Sequence, residues 1–135
     1  RREKRLPFRL YSASVQVLII ENGAYGQRMV KMCRVLNIPF DVISFDETER
    51  VQVDRVAQQL QANRYTHVAI VHCETSSGIL NPIDEIGQLV YQHGSQPGST
   101  VYIVDSMSAF GAIPVDLRRD HISYLISSAN KCIEG

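Results

Sequence analysis

Short apolar runs recur along this chain, each followed by a stretch whose apolar residues fall at helical spacing. Residues 15–20 are almost continuously apolar, lacking the alternation of a strand with one wet face, so they belong in a sheet covered on both sides. Residues 25–36 carry Met29, Met32, Cys33 and Leu36 at i, i+3, i+4 and i+7, the pattern of an amphipathic helix. The cycle then repeats: strand over 39–45, helix over 51–60, strand over 68–71, helix over 83–91, strand over 101–104, and a fifth strand over 124–127. Strands alternating with helices predict an α/β fold in three layers. The sheet is open and mostly parallel, with right-handed crossovers and helices on both faces.

Composition narrows the function classes. At 135 residues the chain fits one domain, and 14 basic against 14 acidic residues leave no net charge to favour nucleic acid. No apolar run approaches the roughly 20 residues needed to cross a bilayer. Cys33, Cys73 and Cys132 show no CxxC spacing, and the histidines show no metal-ligand spacing. That pattern points to a reducing compartment, the cytoplasm with an organelle as the alternative, rather than to a disulfide framework or a metal site. Residues 1–14 set Arg1, Arg2, Lys4, Arg5 and Arg9 against the single acid Glu3. They read as a basic leader, either foreign or the remnant of a targeting segment, ahead of a domain over 15–135. The sequence opens on arginine and stops soon after Lys131, as a fragment would.

In such sheets ligands gather beyond the carboxyl ends of the strands. Four segments emerge there: 21–26, 72–81, 105–111 and 127–131. Asp105 ends the fourth strand and Lys131 follows the fifth. An amine and a carboxylate delivered from neighbouring strand ends suit pyridoxal phosphate, which takes an amine as a Schiff base and a carboxylate on its ring nitrogen. Taken singly, Asp105 reads equally as a turn cap and Lys131 as an exposed strand-end lysine. The Thr75–Ser77 hydroxyls either donate to a cofactor oxygen or cap the turn before Pro82. His72 and Cys73 make no nucleophilic pair, because neighbours in a strand point to opposite faces. NGAYG (22–26) matches no phosphate-loop pattern and reads as a turn entering a helix.

Taken together, ENGAYGQRM (21–29), HCETSSGILNPIDEIG (72–87), VDSMSAFGAIPVDL (104–117) and YLISSANKCIEG (124–135) resemble the class V, fold-type I pyridoxal-phosphate aminotransferases. Within that family, NGAYG and SSANKC are similar to the branch that moves the amino group of 2-aminoethylphosphonate to pyruvate. They are less like the alanine–glyoxylate and cysteine desulfurase branches. The resemblance implies Lys131 as the catalytic lysine holding the cofactor and Asp105 as the partner of its ring nitrogen. It implies Thr75 as the donor to the phenolic oxygen, Met107 beneath the ring and Asn130 near the phosphate. It also implies a homodimer. Two family features are missing from the sequence: the Gly/Ser/Thr phosphate loop ahead of NGAYG, and the small C-terminal domain. The chain thus resembles part of a cofactor-binding large domain, either of a working transaminase or of a non-catalytic remnant. An uncovered sheet edge is expected to make it prone to aggregation.

Overall fold

The computed structural model describes residues 15–134, and the basic leader expected over 1–14 lies outside the described residues. Five strands alternate with three helices: β1 (Val17–Glu21), α1 (Ala24–Val35), β2 (Phe40–Ser44), α2 (Val53–Ala62), β3 (His67–Val71), α3 (Ile83–Gln92), β4 (Val101–Asp105) and β5 (Tyr124–Ile126). All pairings are parallel, in the order β2-β1-β3-β4-β5. The chain steps one way from β1 to β2, returns across β1 to β3, and then runs the other way. The reversal between β1 and β3 is the switch point where sheets of this kind open a crevice.

Right-handed crossovers follow from that order, and they put α1 on one face with α2 and α3 on the other. Packing agrees: α2 meets α3, α3 meets β4, and α1 lies on β1, β2 and β3. Alternate residues of the central strands, Leu18 and Ile20, Val68 and Ile70, Tyr102 and Val104, join Val56, Leu60, Ile83, Ile86 and Val90 in one buried cluster. Their neighbours Ile19, Ala69 and Ile103, and at the carboxyl end Glu21, Val71 and Asp105, turn to the α1 side. All five residues of β1 are buried, as its unbroken apolar sequence requires.

Two elements depart from their sequence pattern. The helix over 25–36 forms, but its apolar stripe is not a core face. Met32, Val35 and Leu36 are 53%, 70% and 64% exposed, and Gly26 is the helix's buried residue. Periodicity says that a helix has an apolar side, and the surrounding chain decides what covers it. The last strand is only three residues long, with Tyr124 and Ile126 exposed at the sheet edge.

A buried amide pair ties the switch point together. Asn22 and Asn81 exchange hydrogen bonds of 2.9 Å in both directions. Asn22 Nδ2 also donates to the Glu49 carbonyl at 2.8 Å, and Asn81 joins Val51 N–H (3.2 Å) to the Val71 carbonyl (2.9 Å). The segments after β1, before α2 and after β3 are thereby fixed on one another. Among the described residues no helix is long and apolar enough to cross a membrane.

Candidate active site

Three turns converge at the carboxyl ends of β3, β4 and β5. The turn after β4 is anchored from inside: Ser106 is fully buried and its hydroxyl meets His72 Nδ1 at 2.9 Å, while its N–H donates to the Ile126 carbonyl at 2.8 Å. Burial lowers the His72 pKa, and the more distant Asp120 and Asp84 oppose that only in part. His72 is therefore a neutral structural side chain on the α2–α3 side of the sheet, facing away from Cys73. The turn after β4 is next stitched to the turn after β3, where Ser108 Oγ donates to the Cys73 carbonyl at 2.6 Å. The lysine turn closes on the same segment through Cys132 Sγ and the Ser108 carbonyl at 3.4 Å. Gly111 makes that approach possible. Its φ is +100°, and a Cβ there would lie 3.1 Å from the Cys132 carbonyl oxygen.

The result is one narrow cleft, with a cavity volume of only about 10 Å³, lined by Thr75, Asp105, Met107 and Lys131. Four of the five residues singled out in the sequence are thus brought together by three separate segments. Asp105 caps its own turn, Oδ1 accepting the Met107 N–H at 3.0 Å, and it also lines the cleft. Among the described residues, Oδ2 accepts no hydrogen bond. Lys131 is half-buried and held in the cleft by its turn. Asn130, the fifth, lies outside the cleft, exposed, with its Oδ1 taking the hydroxyl of Ser128.

Sequence reasoning missed four contributors. Tyr25 and Cys73 line the cleft, and Ser108 both lines it and straps its turns. Glu74 is completely buried, and its carboxylate accepts the N–H of Gly26 at 2.8 Å and of Tyr25 at 3.1 Å. It caps α1 from 49 positions away. One signal was available. The N-cap of α1 is Gly23, which has no side chain to satisfy the free N–H groups of the first turn, so an acceptor had to come from elsewhere. The expected turn at NGAYG is present, and Glu74 fills the place where an anion would bind.

The sequence model for aminotransferase class V matches residues 11–135. The chain belongs to the class V aminotransferase family. Among curated relatives, it is 48% identical over 121 residues to a 2-aminoethylphosphonate–pyruvate transaminase of Phocaeicola vulgatus, covering 89% of this chain and 32% of the relative. A Bacteroides fragilis protein of the same name is 50% identical over the same coverage. The chain therefore spans about a third of the length of these relatives. Among solved structures it resembles pyridoxamine–pyruvate aminotransferase from Mesorhizobium loti, with TM-score 0.80, 29% identity and coverage of 90% of this chain and 30% of that one. Alanine–glyoxylate aminotransferase from Nostoc sp. superimposes with TM-score 0.76 at 26% identity, covering 85% of this chain and 29% of that one. The five-stranded parallel sheet with flanking helices thus matches the fold of the fold-type I aminotransferases.

Proposed function

We propose that this chain is the cofactor-holding part of a pyridoxal-phosphate-dependent transaminase. Its reaction would pass the amino group of 2-aminoethylphosphonate to pyruvate, giving phosphonoacetaldehyde and alanine. The observation that carries the reading is the convergence of the Lys131 amine and the Asp105 carboxylate on one cleft, from the ends of different strands. The substrate pair rests on the names of the relatives at 48% and 50% identity.

The side chains lining the cleft offer the amine, carboxylate and hydroxyl that the ring end of the cofactor takes, although the cleft must widen to admit the ring. Asp105 Oδ2, free of protein partners among the described residues, would accept a hydrogen bond from a protonated ring nitrogen and hold that proton in place. The Thr75 hydroxyl would donate to the neighbouring phenolic oxygen, and Met107 would pack on the ring face. Lys131 Nζ would hold the cofactor and carry the proton that leaves the substrate carbon. Bound there, pyridoxal phosphate supplies an electron sink for that carbon. The phosphate end fits less well: Glu74 takes the N–H groups of Tyr25 and Gly26, so α1 offers the phosphate no seat. Asn130, next to the lysine, would turn toward the phosphate. A homodimer in the cytoplasm completes the reading, by family resemblance and thiol usage.

The test is an absorbance titration of the 135-residue chain with pyridoxal phosphate beside Lys131→Ala. A visible band in the native chain that the variant lacks is expected, followed by alanine formation when 2-aminoethylphosphonate and pyruvate are added. Identical spectra for the two proteins would sink the reading and leave the chain a non-catalytic remnant of the fold.

A further inference from the structure

Glu74 is a buried acid whose charge meets no cationic side chain among the described residues, and the reading above gives it no task. Its two oxygens instead accept the N–H groups of the second and third residues of α1, at 3.1 Å and 2.8 Å. The backbone comes unusually close to allow this. A Cβ on Gly23 would lie 2.8 Å from Glu74 Cδ, and one on Gly26 would lie 3.5 Å from Glu74 Oε1 and 2.5 Å from Glu21 Cβ. Aligned N–H groups and the positive end of the helix dipole stabilise the carboxylate, and the carboxylate in turn fixes the first turn of α1.

What that turn carries gives the contact a consequence. Tyr25, whose N–H Glu74 holds, is one wall of the cleft, and Thr75, bonded to Glu74 in sequence, is another. The preceding residue, Cys73, is itself strapped to the β4 turn through Ser108. The Glu74 carboxylate therefore links the α1 wall to the β3–β4 side of the cleft across 49 positions of sequence. From this geometry we infer that Glu74 is a positioning residue: by occupying the α1 N-terminus it sets the distance between Tyr25 and the Lys131–Asp105 side, and so the width of the cleft. The consequence for cofactor rests on the functional reading above, whereas the effect on Tyr25 does not.

The experiment uses the 135-residue chain and two variants, Glu74→Ala and Glu74→Gln, each with and without formate. Hydrogen exchange at the Tyr25 and Gly26 amides is followed first, without cofactor, and pyridoxal phosphate affinity second. Loss of two charge-assisted hydrogen bonds should speed exchange at both amides by at least about tenfold in Glu74→Ala. Formate, entering the vacated helix end as a detached carboxylate, should restore protection where chloride does not. Glu74→Gln keeps the shape and one acceptor and should fall between, which keeps the test meaningful if Glu74→Ala fails to fold. Cofactor affinity should drop about tenfold or more with the lost protection and recover with formate. Unchanged exchange at Tyr25 and Gly26 would overturn the proposal, and so would lost protection with unchanged cofactor affinity. If the parent chain takes up no cofactor through Lys131, the functional reading fails on its own control, and the exchange and formate results alone decide the role of Glu74.

Discussion

Replacing Asn81 by alanine would empty the centre of the amide cluster at the switch point. Four hydrogen bonds disappear: two to Asn22 at 2.9 Å, one from Val51 N–H at 3.2 Å and one to the Val71 carbonyl at 2.9 Å. Asn22 Nδ2 keeps the Glu49 carbonyl, so the groups stranded outright are Asn22 Oδ1, the Val51 N–H and the Val71 carbonyl. Asn22, Val51 and Asn81 are all buried, at 1%, 3% and 2% exposure, so water does not reach these groups without rearrangement. Each orphaned buried group costs about 1–3 kcal/mol, and water entering the space left by the side chain recovers part, for a net loss of about 3 kcal/mol. Against a domain stability of about 5–15 kcal/mol that is a large fraction. In urea it should move the unfolding midpoint down by at least about 1 M with the slope unchanged. Asn22→Ala in the same series gives a double-mutant cycle, in which the pair should cost less than the sum of the singles by about 1–3 kcal/mol. A single-variant cost under about 1 kcal/mol, or additivity within about 0.5 kcal/mol, would refute the argument that the amides depend on each other.

Three further outcomes are expected. Gly26→Ala gains about 1 kcal/mol of helix propensity, but its Cβ would meet Glu21 Cβ at 2.5 Å and Cα at 2.9 Å, so net destabilisation of about 1–3 kcal/mol should appear in the same urea series. Burial lowers the pKa of both His72 and His93, which are neutral in the folded and unfolded states above pH 6.5. Below that value the unfolded chain binds protons that the folded chain refuses. Stability should therefore fall as the pH drops below about 6.5, by up to about 1.4 kcal/mol per pH unit for each histidine. His72→Gln should flatten that slope, and a slope unchanged by the substitution would remove His72 from the account. The carboxyls of Asp116 and Asp120 act in a lower window: the backbone N–H of Arg119 and the Arg119 guanidinium, respectively, hold them below the ordinary 3.8. Gly111→Ala puts a side chain at φ +100° against the Cys132 carbonyl, so it should loosen the lysine turn and weaken Lys131-dependent cofactor uptake by about tenfold, read in the absorbance titration.

Every strand and helix of the described residues was legible in the sequence, for a local reason. An unbroken apolar run such as VLII in β1 tolerates no wet face, and repeats of three and four residues mark a helix. Asp105 and Lys131 were legible too, because polar residues just beyond apolar strands fall at the edge where such sheets bind ligands. Asn130 was not placed by its neighbour: one residue from Lys131, it sits outside the cleft because its turn points it at Ser128. The apolar stripe of α1 was visible, while its exposure was not, since burial belongs to the surroundings of a helix rather than to its own spacing.

The sequence by itself therefore determined the elements, the parallel α/β class and the chemistry available at one edge, all set within a turn or two of chain. Tertiary structure alone decided the strand order, the exchange between Asn22 and Asn81, and the capping of α1 by Glu74. Those pairs lie 59 positions apart for the amides and 48 for Glu74 and Gly26. No local pattern specifies such a pairing. It exists because packing the sheet leaves buried N–H and carbonyl groups that only a side chain brought from far along the chain can satisfy.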